Sequence, residues 1–388
     1  MSRVIPYGRQ TIGEDDIRAV VDVLRSDFLT QGPVVPRFEQ AIAAYCGAAH
    51  AVAVNSATSA LHIACLALGV GAGDVVWTAP NTFVASANCA RYCGASVDFV
   101  DIDPVTYNMS AGALADKLAH AQTSARLPKV VIPVHFAGLP CDMVAIHALA
   151  RRYGFQVIED ASHAIGARYG ATVIGDCRYS DITVFSFHPV KIITTAEGGA
   201  ATTQSPELAR RMQLLRTHGV TRDPAELQRT TEGPWYYEQQ VLGFNYRMTE
   251  IQAALGVSQL QHLDDWIARR HRIADAYDAS LASLPLVLPR RSAGSCSALH
   301  LYVVQIDAGR TRLDRRVVFE RLRAAGIGVN VHYIPVHTQP DFRALGFRVG
   351  QFPVSEAYYS RCLSLPMFAT LSEADTARVI AALREALS

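Results

Sequence analysis

From about residue 50 to residue 205, short runs that are apolar nearly throughout alternate with segments whose apolar positions recur at helical spacing. The runs at 50–55, 75–79, 96–100, 130–135, 156–159, 181–187 and 199–203 read as strands. Helical patterns at 59–68, 85–93, 111–121, 143–153 and 206–215 separate several of them. Strands without a polar face, alternating with helices, predict an α/β fold with a mostly parallel sheet covered on both sides. Such sheets bind ligands beyond the carboxyl ends of their strands. Asn55, Asn81, Thr82, Asp101, His135, Asp160 and the stretch Ser186, Phe187, His188 fall at those ends, which points to a single active site.

The pattern changes further on. Residues 249–262 read as a helix that continues through 264–282 as a long basic-polar one. After a proline-bounded break at 285–289, a strand at 300–307, a helix at 315–325, a strand at 328–333 and a terminal helix at 372–387 describe a smaller α+β unit. The resulting division is an N-terminal segment at 1–30, with a helix at 14–26 packed near the small unit, then a large domain at 31–260 and a small one at 261–388.

Composition mainly excludes. The chain has 388 residues, with 36 basic against 35 acidic side chains, so it has no electrostatic case for nucleic acid or an anionic membrane as its main partner. No stretch reaches the roughly 18 uninterrupted apolar residues of a membrane span, and the N-terminus carries no secretory h-region, so a soluble cytoplasmic protein is expected. The eight cysteines are scattered and read as buried free thiols, and no HExxH or tight histidine cluster suggests a metal site. One bias is informative. Only Lys117, Lys129 and Lys191 are lysines, and the other 33 basic residues are arginine. Chemistry that needs a primary amine has only these three places to occur, because a guanidinium stays protonated.

Lys191 follows a strand that ends in Ser186, inside SFHPVKIITTAEGGA. Flanked by Val190, Ile192 and Ile193, its charged form would be disfavoured by partial burial, freeing the amine for Schiff-base chemistry. Spacing alone also fits a solvated or paired turn lysine. In VIEDASHA an apolar strand delivers Asp160, which suits either the pyridinium nitrogen of pyridoxal 5′-phosphate (PLP) or the cap of the next turn. In VNSATSALHIA a strand runs into Ser56, Thr58 and Ser59 at a helix start, an anion site that a plain N-cap would resemble. The glycines of LGVGAGD follow a helix with the wrong spacing, which weakens a nicotinamide-binding reading.

These motifs occur in an order that resembles the DegT/DnrJ/EryC1/StrS sugar aminotransferases, members of the fold-type I PLP enzymes. The likeness runs from YGRQTIGEDDI through FLTQGPVVPRFE, NSATSALH, EDASHA, SFHPVKIITTAEGGA and LGFNYRMTEIQAALG to VNVHYIPVH. It implies that Lys191 is the Schiff-base lysine and proton carrier, that Asp160 pairs with the pyridinium, and that His163 lies beside it. Ala57, Thr58 and Ser186 would hold the phosphate, and Phe83 would stack on the ring or serve as a core aromatic. Asn245 would reach the cofactor of a partner subunit, implying a homodimer with shared sites. Tyr7, Asp27, Phe28, Leu29, Thr30, Arg247, His332 and Tyr333 would line a nucleotide-sugar pocket, although Arg247 also suits an interdomain ion pair. The implied reaction moves an amino group from L-glutamate to C4 of a UDP-linked 4-keto-6-deoxy-N-acetylhexosamine, as in pseudaminic acid biosynthesis. Another UDP-, GDP- or dTDP-linked keto sugar, or a PLP-binding protein without turnover, are the alternatives.

Overall fold

The structure is a computed structural model that describes residues 4–124, 126–229, 233–291 and 294–388; positions 1–3 of the expected N-terminal segment lie outside the described residues. Its centre is a seven-stranded sheet of β1 (His50–Val54), β2 (Val75–Thr78), β3 (Ser96–Phe99), β4 (Val130–Ile132), β5 (Gln156–Asp160), β6 (Ile182–Ser186) and β7 (Gly199–Thr203), in the order β1-β7-β6-β5-β4-β2-β3. Only β7 runs antiparallel to its neighbours; the remaining pairings are parallel. The strands are buried on both faces, β6 and β7 along their whole length. That matches the absence of a polar face in their sequence.

The chain steps outward from β2 to β3 and then returns across β2 to β4, so the sheet has a switch point between β2 and β4, the kind of place where such sheets bind ligands. Helices α1 (Glu14–Leu24), α2 (Val34–Cys46), α3 (Ala57–Ala67) and α4 (Ala85–Tyr92) precede or follow the first strands. The α3 helix is apolar nearly all round and is buried from Ser59 to Cys65, where Leu61, Ile63 and Ala64 pack with Val54, Ile158, Val184 and Ala201 of the sheet. Its start is fixed by Ser56, whose hydroxyl accepts a hydrogen bond from the Ser59 backbone N–H.

A second core gathers Tyr277, Tyr302, Val304, Leu322, Leu363 and Leu383 around a three-stranded antiparallel sheet of β8 (Leu286–Val287), β9 (Tyr302–Ile306) and β10 (Cys362–Leu365). No described helix is long and apolar enough to cross a membrane. Two expectations change. The long helix expected over 249–282 is two helices, Glu250–Leu260 and Leu263–Leu281, joined by a tight turn in which Gln261 and His262 still bond back to Ser258 and Gln259. Its predicted start holds, because Thr249 and Gln252 form a reciprocal capping box. The expected strand at 328–333 is irregular. Its pairing is divided between an Ile5–Ile327 bridge on one side and an Asn330–Ser364 bridge on the other. The N-terminal segment divides in the same way: Ile5 joins the second core, while α1 packs on the Glu250–Leu260 helix, where Gln259 donates to the buried Asp16 carboxylate at 2.7 Å.

Candidate active site

A cavity of about 570 Å³ opens where β5 and β6 end and α3 begins. The chain leaves β6 at Ser186 and makes a tied loop: Thr195 N–H returns to Phe187 O and Phe187 N–H to Gly198 O. Ile192 and Ile193 are buried and anchor the loop, and the Lys191 N–H closes a turn on His188 O. The Lys191 side chain therefore extends into the cavity. Burial lowers its pKa to about 8, against the opposing attraction of the Asp160 carboxylate. Part of the population thus carries a neutral amine near neutral pH. In the cofactor-free protein, the rate of aldehyde uptake should rise with pH through about 8 and then level, since only the free amine reacts. Stopped-flow absorbance across pH 6 to 10.5 would check this (the window spans about two units on either side of the shifted value), and a midpoint near the ordinary lysine value would contradict it.

Asp160 ends β5 and is 4 % exposed. Its Oδ2 accepts from the Ser86 hydroxyl at 2.6 Å and its Oδ1 from the Ser162 backbone N–H at 3.1 Å. The carboxylate is thereby held in one orientation and still faces the cavity. Beside it, the Ala137 N–H donates to His163 Nδ1 at 3.3 Å, so the ring proton sits on Nε2, which lies 3.0 Å from the Tyr333 hydroxyl. Burial, and then the charge of Lys191, hold His163 well below its ordinary pKa, so the ring is neutral. His300 packs 4.4 Å from His163, and its Nδ1 is buried without a hydrogen-bond partner among the described residues. Tyr7 and His332 form the adjoining wall, with ring centroids 5.5 Å apart, and Phe83 stands at the mouth, 60 % exposed, with its ring 6.5 Å from that of Tyr333.

Opposite lies the start of α3, with Ala57, Thr58 and Ser186 lining the same space. Here Gly199 of β7 is required by proximity: a Cβ on it would lie 2.5 Å from Ala57 N and 2.6 Å from Ser56 C. The free N–H groups of a helix start, with hydroxyls beside them, suit a phosphate ester. The donor set thus fits PLP: an amine, a carboxylate fixed at a strand end, and an anion cradle around one cavity. A Gly199→Ala variant should displace that cradle, with a cost of about 1–3 kcal/mol in thermal stability and weaker cofactor retention on dialysis. Unchanged cofactor affinity would contradict the close approach.

Other expected residues lie elsewhere. Asp27, Phe28, Leu29 and Thr30 are exposed on the turn after α1, where Leu29 O accepts from Glu250 N–H. Asn245 is exposed and bridges Thr217, while Arg247 lines a separate cavity with Gln31, Gly32, Arg216 and Met248. Neither joins the Lys191 cavity of its own chain. Conversely, the cavity includes residues that the motifs did not single out: Ser86, Glu197, Asn330 and His300. Ser86 lies three residues after Phe83 in the sequence, but a partner 74 positions away in the chain leaves no local signal.

Residues 10–384 match the DegT/DnrJ/EryC1/StrS aminotransferase family. Spore coat polysaccharide biosynthesis protein SpsC of Bacillus subtilis is 40 % identical over 98 % of this chain and 96 % of its own length. Among solved structures, Helicobacter pylori PseC, an aminotransferase involved in the biosynthesis of pseudoaminic acid, superimposes with a TM-score of 0.90 at 28 % identity, covering 99 % of each chain. A putative sugar aminotransferase of Streptococcus pneumoniae, Spr1654, in its PMP form gives a TM-score of 0.88 at 29 % identity over 99 % of this chain and 97 % of its own. With the amine, the carboxylate and the anion cradle already brought to one cavity, the chain belongs to the DegT/DnrJ/EryC1/StrS aminotransferase family and is a PLP-dependent sugar aminotransferase.

Proposed function

We propose that the enzyme transfers an amino group from L-glutamate to C4 of a UDP-linked 4-keto-6-deoxy-N-acetylhexosamine, on the route to pseudaminic acid. The observation that carries the reaction type is the buried Lys191 amine, lowered to a pKa of about 8, sharing one cavity with Asp160 and the start of α3. The likeness to PseC over 99 % of both chains supports the sugar class.

When bound, the cofactor supplies an electron sink for the carbon that loses its proton. The protein's part follows from its own groups. Ala57, Thr58 and Ser186 hold the phosphate, and the Asp160 carboxylate, fixed by Ser86 and Ser162, keeps a proton on the ring nitrogen. The Lys191 amine takes the substrate proton and returns it, which a group with a pKa near the working pH does most effectively. His163 stays neutral and so adds no second positive charge near Lys191. Phe83 closes the mouth over the ring, and Tyr7, His332 and Tyr333 form the sugar-facing wall.

In this reading Asn245, Arg247 and the turn of Asp27, Phe28, Leu29 and Thr30 serve the cavity of a second copy, making an obligate homodimer. Their place outside their own cavity supports this, as do the exposed apolar side chains of Phe28, Leu29 and Leu242, which give such a face area to bury. Arg247 forms no ion pair among the described residues, which favours the shared site over an interdomain pair. We also divide the chain into a large domain at 31–260 and a small one at 261–388, supported by the separate core around Tyr302. We place it in the cytoplasm, where its eight free thiols stay reduced.

A panel of UDP-, GDP- and dTDP-linked 4-keto sugars with L-glutamate, scored for 2-oxoglutarate, tests the substrate. Preference for the UDP-N-acetylhexosamine supports the reading, and preference for another member replaces the sugar while leaving the chemistry. The likeness to SpsC keeps a different polysaccharide precursor as the second reading.

A further inference from the structure

Of the charged side chains on the Leu263–Leu281 helix, only Arg270 is buried, and it is 1 % exposed. Burial lowers its pKa to about 10, so the guanidinium keeps its charge at neutral pH. No carboxylate pairs with it among the described residues. A buried charge without an opposite charge is costly unless polar groups are arranged to meet it. Three carbonyl oxygens do so here. Arg270 Nη1 donates to Leu299 O at 3.1 Å, to His300 O at 3.2 Å and to Met367 O at 3.0 Å. Its Nε stays buried without a hydrogen-bond partner among the described residues, so satisfying the guanidinium does not by itself account for its place.

Both segments that Arg270 grips run on to the cofactor cavity. On the first, His300 lines the cavity and packs on His163. Leu299 has a φ of +49°, a left-handed conformation that a leucine adopts only under constraint. Arg270 holds its carbonyl and the next one from one side. From the other side, Ala298 N–H donates to Gly138 O at 3.0 Å and Leu301 N–H to Ala137 O at 3.3 Å. The approach is close: a Cβ on Gly138 would lie 2.9 Å from Leu299 N and 2.9 Å from His163 O. Ala137 is also the residue whose N–H fixes His163 Nδ1. On the second segment, Met367 N–H donates to Tyr7 O at 3.0 Å, and the Tyr7 ring forms one cavity wall with His332. One guanidinium thus ties the His163 side of the cavity to the Tyr7 side without lining the cavity itself.

We propose that Arg270 is a positioning residue for the nucleotide sugar, tying the Leu299–His300 turn to Met367 and so holding Tyr7 at the distance from His300 at which the cavity accepts the sugar. The inference deepens the proposed function and rests on its reading of Tyr7 as part of the sugar-facing wall. L-Glutamate reacts beside Lys191 and Asp160, so its half-reaction does not draw on that wall. Arg270→Met keeps an apolar chain and loses every donor, leaving three carbonyls without their shared partner. Arg270→Lys keeps three hydrogens on one nitrogen at the end of a shorter chain, and so keeps part of the tie.

Steady-state kinetics of the holoenzyme with the UDP-, GDP- and dTDP-linked 4-keto sugars, beside the single half-reaction with L-glutamate, tests it. In Arg270→Met the KM for the sugar that the parent turns over should rise about tenfold or more, the loss expected for one charged hydrogen-bond donor. Arg270→Lys should raise it less, by about threefold, and in both variants the L-glutamate half-reaction should stay within about twofold of the parent. Tyr7→Ala should raise the same KM, and adding either Arg270 variant to it should cost no more than about twofold further, because the two residues act on one wall. If Arg270→Met does not fold, the cycle of Arg270→Lys with Tyr7→Ala decides. A fall in the L-glutamate half-reaction that parallels the sugar effect, or additive losses in the double variant, would overturn the proposal. So would an unchanged sugar KM in the Arg270 variants beside a raised one in Tyr7→Ala. An unchanged KM in Tyr7→Ala would instead remove the wall reading, and this inference with it.

Discussion

Replacing Lys191 with arginine is expected to lower kcat by on the order of 10⁴-fold while the protein folds and keeps its charge. A guanidinium cannot form an imine and does not release a proton near neutral pH, so the variant loses both functions of the residue at once. No other amine can take over. Lys117 is occupied by Asp98 at 2.7 Å and Phe99 O at 2.6 Å, and Lys129 by Asp74 at 2.9 Å, both in a different cavity. A half-reaction with L-glutamate, followed by absorbance, separates this from misfolding, because circular dichroism of the variant should match the parent. Turnover within about tenfold of the parent would remove Lys191 from its proposed role, since that is only about 1.4 kcal/mol of barrier.

The second large effect falls on Asp160. Asp160→Asn is expected to cost about 10²–10³-fold in kcat, the usual price of removing one preorganised electrostatic partner from a water-poor site. The amide is nearly the same size and keeps most of the local packing, so the loss reports charge. Ser86→Ala should act in the same direction but less, by about 0.5–1.5 kcal/mol, because it removes one hydrogen bond that orients the carboxylate and leaves the charge in place. If the two variants lost equal activity, orientation and not charge would be the important quantity. The half-reaction rate with L-glutamate and the visible spectrum of the holoenzyme together make the comparison.

Much of this site could be read from local pattern. Asp160 and Ser186 terminate apolar runs, and a run that is apolar on both faces must sit inside a covered sheet, so its polar end residue lies at an edge. Ser56 before an apolar-periodic run marks a helix start in the same local way. The helix start expected at 249 is held by the Thr249–Gln252 capping box, but the break at 261 carries no local signal, because the turn keeps helical hydrogen bonds and so keeps the helical pattern. Residues 328–333 misled for a related reason. Their apolar alternation is real, but the backbone bonds are shared between Ile5 and Ser364, two segments far apart in the chain, and no regular ladder forms.

By itself the sequence determined the alternating sheet, the strand ends that carry chemistry, the scarcity of primary amines and the family, because each rests on short-range order along the chain. Only the tertiary structure decided which groups meet. It brought Ser86 to Asp160, put His163 between Ala137 and Tyr333, and left Asn245 and Arg247 outside their own cavity. Those meetings depend on how helices pack across the sheet, and contacts between residues tens to hundreds of positions apart leave no periodic trace in the order of the amino acids.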